Sequence, residues 1–285
     1  MKVSCPCLRD DMRVTYVARI RTQGATMTAL VRKAQVLKAS RSTRLSVGMA
    51  GCASEVLESQ ALRYDVFARE SGATLHNSID GIDHDRFDPY CQHVLVRDGD
   101  NGRVVASTRI LTSEQLAKTG GFYSATEFDL THVLDMPGRF MEIGRTCVHA
   151  DYRNGSAITM LWKGISQFLE SRGYDYLIGC ASIGLDDGGV QAQAVMQRLR
   201  QRHMAPPARR VTPLLPYPPR PVDASLAPMV PPLLKAYLRL GAEIGGEPYW
   251  DQDFNVADVF VLLDVKRLDA RYARHFQVQQ AMGAR

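Results

Sequence analysis

Met141-Glu142-Ile143-Gly144-Arg145-Thr146-Cys147-Val148-His149-Ala150-Asp151-Tyr152-Arg153-Asn154-Gly155-Ser156-Ala157 has the pattern of a β-strand, a short polar turn with one glycine, and the start of a long amphipathic helix. A helix start behind such a turn presents backbone N–H groups without intrahelical partners, which suits a phosphate or pyrophosphate. The strand also carries a carboxylate and a guanidinium where burial is expected. Residues three apart on a regular strand face opposite sides. A bulge near Gly144 would return Glu142 and Arg145 to the same side.

The flanking sequence continues this alternation. Upstream, a helix is expected from near Ser54 to Glu70, with Leu57, Ala61, Tyr64 and Phe67 on one face. A polar loop covers residues 71–90. Strands over Gln92–Arg97 and Arg103–Leu111 flank a turn at Asp98-Gly99-Asp100-Asn101-Gly102. Downstream, Ile158, Leu161, Trp162, Ile165, Phe168 and Leu169 form a helical stripe that Gly173 ends. A strand over Tyr174–Ile183 and a helix over Gly189–Met204 follow. Ten of the fourteen prolines fall between Pro206 and Pro232, which predicts a loop or lid there. A helix over Leu233–Leu240 and a strand over Val256–Val265 complete the order. It predicts an α/β (α+β) fold, a central mixed twisted sheet flanked by helices. The expected division is a basic extension over 1–50 and one domain over 51–285 with a Pro-rich insertion at 205–232.

Composition narrows the class. The chain is 45% hydrophobic and 23% charged, as in soluble globular proteins. No apolar run approaches the roughly 20 residues of a membrane span. Arg13, Arg19 and Arg21 interrupt any signal-peptide core, so a cytoplasmic location is expected. The six cysteines form no C-x-x-C pair, so neither a disulfide framework nor a structural zinc site is expected, and no metal. Residues 1–50 hold ten Lys/Arg against Asp10 and Asp11, while the remainder is slightly acidic. Such an arm favours anionic surfaces.

Several segments together resemble a family: Leu62-Arg63-Tyr64-Asp65-Val66-Phe67, Asp83-His84-Asp85-Arg86-Phe87-Asp88, the Glu142–Arg145 strand with Val148–Gly155, and Ala257-Asp258-Val259-Phe260. From about Leu62 to Leu263 the chain resembles the GNAT-fold N-acyltransferases. Within them it resembles the bacterial L-ornithine Nα-acyltransferases, and the pattern is shared with acyl-homoserine-lactone synthases. The resemblance implies a GNAT-like fold and transfer of a 3-hydroxyacyl group from acyl carrier protein to the α-amine of L-ornithine, giving lyso-ornithine lipid. It also implies the bulge beside Gly144. The turn Arg153-Asn154-Gly155-Ser156-Ala157 has fewer glycines than the usual GNAT loop. This fits a carrier-protein donor better than coenzyme A.

On this resemblance Glu142 and Arg145 are the candidate catalytic pair, with Glu142 orienting and deprotonating the amine. Arg63, Asp85, Asp88 and Arg109 are expected to line the acceptor pocket, because guanidinium binds carboxylate and Asp neutralises ammonium. Val148, Arg153, Asn154, Gly155 and Ser156 are expected to hold the donor's phosphopantetheine. No permanently bound cofactor is expected; acyl-phosphopantetheine on acyl carrier protein is the donor. A Cys–His nucleophile from Cys91 or Cys147 is a weaker alternative, because thioester aminolysis needs no acyl-enzyme. Residues 188–222 contain six arginines and no acidic residue. They could dock acidic acyl carrier protein or meet anionic lipid, placing the enzyme peripherally on the inner membrane. Other acceptors remain open: lysine, glycine, glutamine or a lactone precursor. A different class, a non-catalytic membrane or nucleic-acid binder using the basic arm, predicts steep salt dependence. The arm lacks the interleaved aromatics of single-strand binding, and nucleic acid is not expected as a partner.

Overall fold

The computed structural model describes residues 44–221 and 226–268. The chain divides between Ser42 and Thr43, and of the expected basic arm residues 1–43 lie outside the described residues. In chain order the strands are β1 (Leu45–Met49), β2 (Gln92–Asp98), β3 (Val104–Thr112), β4 (Phe128–Asp129), β5 (Phe140–Val148), β6 (Tyr176–Gly184), β7 (Thr212–Pro213), β8 (Glu243–Ile244), β9 (Tyr249–Asp251) and β10 (Val256–Asp264). The main helices are α1 (Ala53–Tyr64), α2 (Ser156–Arg172), α3 (Val190–Arg202) and α4 (Pro232–Arg239). Among the described residues no helix is long and apolar enough to cross a membrane.

The main sheet runs β1-β2-β3-β5-β6-β10-β8, with β9 also paired to β10. Every pairing is antiparallel except β5–β6. Parallel neighbours need a crossover, and α2 supplies it. Its apolar stripe places Leu161, Trp162, Ile165 and Leu169 in the larger core with Ile143, Leu177, Val259 and Val261. Gly173, at φ +67°, ends α2 as expected. The opposite sheet face carries a smaller core of Phe87, Leu111, Phe122, Phe128, Ile178 and Phe260. The mixed sheet with flanking helices is the predicted architecture.

Three boundaries or faces differ from expectation. Leu45–Met49 pairs with Asp98–Val94 as an edge strand, so the folded body begins before residue 51. That strand is short and alternates partly buried with exposed positions, too weak a local signal to read unaided. Helix α1 turns its polar side inward: Ser59, Gln60, Leu62 and Arg63 are buried, whereas Leu57 is 51% exposed. Its last turn, Asp65–Glu70, is a π-helix. The Pro-rich stretch does contain short ordered pieces. Thr212–Pro213 pairs with Phe128–Asp129, and Tyr217 is buried against Trp250. Leu214, Leu215 and Met229 do stand exposed.

The sheet opens in its middle. Strands β5 and β6 pair only from Phe140↔Tyr176 to Ile143↔Gly179, and residues 144–148 and 180–184 continue without pairing to each other. A Cβ at Gly179 would lie 2.5 Å from the Ile143 carbonyl oxygen. Only glycine permits this last close approach before the strands part.

Candidate active site

The parting of β5 from β6 coincides with a bulge. Pairing of β3 with β5 runs Ser107↔Cys147 and then Arg109↔Gly144, so Thr108 alone opposes Arg145 and Thr146. The extra residue is Arg145, at φ +52°, one position beyond the expected Gly144. A left-handed arginine costs on the order of 1–3 kcal/mol and needs surroundings that hold it. Those surroundings are Asp83 Oδ2 at 3.6 Å, Asp85 Oδ2 at 3.5 Å, the Tyr123 hydroxyl at 3.4 Å, and the Tyr123 and Phe254 rings at 5.0 and 5.1 Å. Thr108 Oγ1 fills the bulge by donating to the Gly144 carbonyl at 3.2 Å and meeting Thr146 Oγ1 at 2.7 Å.

Glu142, three residues earlier, is 3% exposed and faces the same side. Tyr123 N and Ser124 N each donate to its carboxylate at 2.7 Å, and Ser124 Oγ donates at 2.5 Å. It therefore anchors the turn over Tyr123–Thr126, and no Glu142–Arg145 ion pair occurs among the described residues. Burial raises its pKa, against the hydrogen bonds from Ser124 and Tyr123 that favour the charged form.

Arg63, Asp85, Asp88 and Arg109 do come together, joined by Asp83. Arg63 Nε donates to Asp83 Oδ2 at 2.7 Å, and its Nη1 and Nη2 donate to Asp88 at 2.7 and 2.9 Å. Arg109 Nη1 donates to Asp85 at 2.6 Å and to Asp88 at 2.9 Å. Arg63 is 1% and Arg109 3% exposed. Burial pushes the Asp88 carboxyl up, and the two guanidiniums override this to hold it far below the usual carboxylate range. The cluster clamps the 71–91 loop between α1 and the sheet. Its groups mostly satisfy one another. Arg109 Nη2 and Asp85 Oδ2 remain buried without hydrogen-bond partners among the described residues.

Beyond the bulge, Thr146, Val148, Tyr152, Arg153, Gly155 and Ile158 line a groove of about 320 Å³, closed on one side by Pro231, Pro232 and Leu233 at the start of α4. Asn154 Oδ1 accepts from Ser156 N at 3.0 Å just ahead of α2, whose N-cap is Gly155 at φ +94°. Arg153 is already engaged: both Nη atoms bind Glu70, and Nε donates to the Val148 carbonyl at 3.0 Å. Of the five expected donor residues the groove is lined by Val148, Arg153 and Gly155, while Asn154 and Ser156 bond to each other beside it, and Arg153 fastens the turn to the end of the π-helix.

Three carboxylates absent from the expected site lie on the β6–β10 side. One oxygen each of Glu127, Asp251 and Asp258 falls within 4.8 Å of the other two. This is the one set of side chains in the described residues with the spacing to hold a cation of metal type. Tyr123 stands between this trio and the arginine cluster, with its ring also 5.8 Å from Arg109. The trio comes from three separate segments, so no spacing signal joined it, although Asp258 lies in the Ala257-Asp258-Val259-Phe260 segment that carried the resemblance. Cys91 and Cys147 do not fit a nucleophile role: burial pushes both thiols up to about 12.

A GNAT acetyltransferase domain model matches residues 62–163. An L-ornithine N(alpha)-acyltransferase of Rhodobacter capsulatus is 34% identical over 251 residues, covering 83% of this chain and 96% of that protein. One of Rhizobium meliloti is 33% identical over 273 residues, covering 88% and 92%. Among solved structures, an N-acyl amino acid synthase from uncultured soil microbes, FeeM, aligns with a TM-score of 0.47 at 9% identity over 79% of this chain and 93% of that one. The CoA-dependent acyl-homoserine lactone synthase BjaI aligns at 0.48 and 16% identity over 81% and 89%. With a third of its residues shared along nearly the full length of its relatives, the chain belongs to the L-ornithine N(alpha)-acyltransferases, enzymes of the GNAT acyltransferase fold.

Proposed function

We propose that the protein transfers a 3-hydroxyacyl group from acyl carrier protein to the α-amine of L-ornithine, giving lyso-ornithine lipid. The observation that carries this reading is the parting of β5 and β6 beside Glu142, with the donor groove on one flank and buried carboxylates and arginines on the other. A thioester in the opening is within reach of an amine held at that polar side.

The acceptor's carboxylate is met by Arg145 and by the unpartnered Nη2 of Arg109. Its α-ammonium must lose a proton before nitrogen can attack. Glu142 Oε2 accepts one described hydrogen bond, so a lone pair remains for that proton, directly or through water. Its raised pKa suits a base better than an ordinary carboxylate would. The amine nitrogen then bonds to the thioester carbon. Backbone N–H groups freed by the bulge stabilise the resulting oxyanion. Collapse expels the pantetheine sulfur, which takes the second proton given up by the attacking nitrogen, while Glu142 passes the first to water.

The donor's phosphate lies at the α2 start, held by the backbone N–H groups of its first turn rather than by the committed Arg153 or by Ser156, whose N and Oγ both donate to Asn154 Oδ1. For acyl carrier protein, Arg198 and Arg202 offer basic charge on α3 without ion pairs among the described residues, whereas Arg200 and Arg209 are paired. A cytoplasmic enzyme touching the inner membrane could release the lyso-lipid there, and exposed Leu214, Leu215 and Met229 suit that contact.

Mass spectrometry of lipids from an expressing host tests the reading. Acyl-ornithine should appear with wild type and vanish with Glu142→Ala, at equal levels of folded protein. A wild type that yields no acyl-ornithine, or a Glu142→Ala variant that yields as much, overturns it.

A further inference from the structure

The arginine–aspartate clamp is balanced: Arg63, Arg109 and Arg145 face Asp83, Asp85 and Asp88. The neighbouring trio has no such balance. Glu127 is 3% and Asp258 5% exposed. Both oxygens of Glu127, and Oδ1 of Asp258, make no hydrogen bond among the described residues. The side-chain donors beside them, Tyr123 and Cys180 at Glu127 and Ser182 at Asp258, favour the charged forms but make no full hydrogen bond to those three oxygens, and buried carboxylates so poorly served need a reason. Asp251 is partly exposed and spends Oδ1 on the backbone N–H groups of Asp253 and Phe254, both at 3.0 Å. The Arg145 charge is felt at Asp251 and Asp258, but its ion pairs are with Asp83 and Asp85. The site thus lacks a cation.

Acylation at the α-amine of a diamino acid leaves its second ammonium intact, and that group must be accommodated near the reacting centre. Glu127 follows directly on the turn that Glu142 anchors through Tyr123 and Ser124. Ser124 Oγ also touches Cys180 Sγ at 3.3 Å, on the strand paired with β10, which carries Asp258. The unfilled carboxylates are therefore one turn of chain away from the proposed base.

We propose that Glu127 and Asp258, with Asp251 at the rim, form the subsite that holds the side-chain ammonium of a diamino acid acceptor. The subsite gives the enzyme its preference for a cationic side chain. This rests on the acyl-transfer function proposed above. An ammonium supplies the three donors that the free oxygens lack, and neutral acceptors such as glycine leave them bare. Burial, and for Glu127 the adjacent Asp258 charge, raise the pKa of both carboxyls, as expected of groups awaiting a cation.

The test compares kcat/KM for L-ornithine with that for L-norleucine, which has methyl in place of the ammonium. A site built for a polar group rejects the analogue lacking it by about 10²-fold or more. Wild type should show such a ratio, and Glu127→Gln and Asp258→Asn should each lower it at least tenfold, chiefly through KM for ornithine. In thermal-shift measurements ornithine, and not norleucine, should raise the melting temperature of wild type, with the gain diminished in both variants. If ornithine is acylated but the ratio is unchanged in the variants, the subsite is overturned while the function stands. If lysine proves strongly preferred and the variants abolish that preference, the subsite stands and the ornithine assignment falls. Loss of ornithine turnover in a chelator, restored by Mg²⁺ or Ca²⁺, assigns the trio to a metal and also overturns the subsite.

Discussion

Asp88→Asn removes one negative charge from the clamp and leaves its volume unchanged. The Asp88 carboxylate accepts from Arg63 twice, at 2.7 and 2.9 Å, from Arg109 at 2.9 Å, from Asp85 N at 3.0 Å and from Gln60 Nε2 at 3.2 Å. The amide would present an NH₂ to donors that need an acceptor. It would also leave three guanidiniums facing two carboxylates, with Arg63 and Arg109 almost wholly buried. Removing one partner from a buried ion pair costs about 3–5 kcal/mol. At about 2–4 °C per kcal/mol for a body of this size, Tm should fall by about 6–20 °C. Urea unfolding followed by circular dichroism should show the same loss with an unchanged m-value. Glu170→Gln, exposed on α2, serves as the control and should stay within about 0.5 kcal/mol. Burial pushes the Asp85 and Asp88 carboxyls up, yet their arginines hold them below the unfolded value. Their stabilisation is therefore complete above about pH 4 and lost as the pH falls toward the folded values. The gap between variant and wild type should narrow in acid. A loss under about 1 kcal/mol at neutral pH would refute the idea that this network holds the 71–91 loop in place.

Asp258 behaves in the opposite sense. Burial raises its pKa to about 7, so its contribution is complete below about pH 4 and is lost as the pH rises toward 7. Asp258→Asn should flatten the fall in Tm between those limits and melt higher than wild type at pH 8 without ligand. Gly179→Ala places a methyl against the Ile143 carbonyl, which is backbone and cannot swing aside. The cost should be about 1–3 kcal/mol, with a raised KM for the acyl donor as the strand opening shifts; unaltered melting and kinetics would show that the close approach is immaterial. Charge reversal at Arg198 and Arg202 should raise KM for acyl carrier protein about tenfold at low salt, leave KM for the amino acid unchanged, and fade as salt screens the contact. An unchanged carrier-protein KM would remove α3 as the docking face.

The long strands and helices were legible in the chain because their signals are local, whereas the edge strand β1 and the short strands β4, β7, β8 and β9 were not. The apolar run of Phe140–Val148 with the turn after it, the stripe of Ser156–Arg172 closed by Gly173, and the hairpin around Asp98–Gly102 need only neighbouring residues to be read. The helix α1 misled for the same reason. Leu57 follows a helical period, yet it is exposed while Arg63 is buried, because the loop carrying Asp83 and Asp88 folds onto the helix from 20 or more residues away.

Sequence alone determined the βαβ unit at the centre, the glycines and capping residues of its turns, and the chemical types gathered along β3, β5 and the acidic loop. Tertiary structure decided what those types do. Register against β3 placed the bulge at Arg145, and the turn from Tyr123 turned Glu142 into an anchored carboxylate. The close approach of Ile143 to Gly179 set where the sheet opens. Pairing of β9 and β6 with β10, and the turn beside β5, gathered Glu127, Asp251 and Asp258 from distant points of the chain. Periodicity reports which face of an element is apolar, but the partner of a buried charge is set by long-range packing. A local pattern carries no record of that choice.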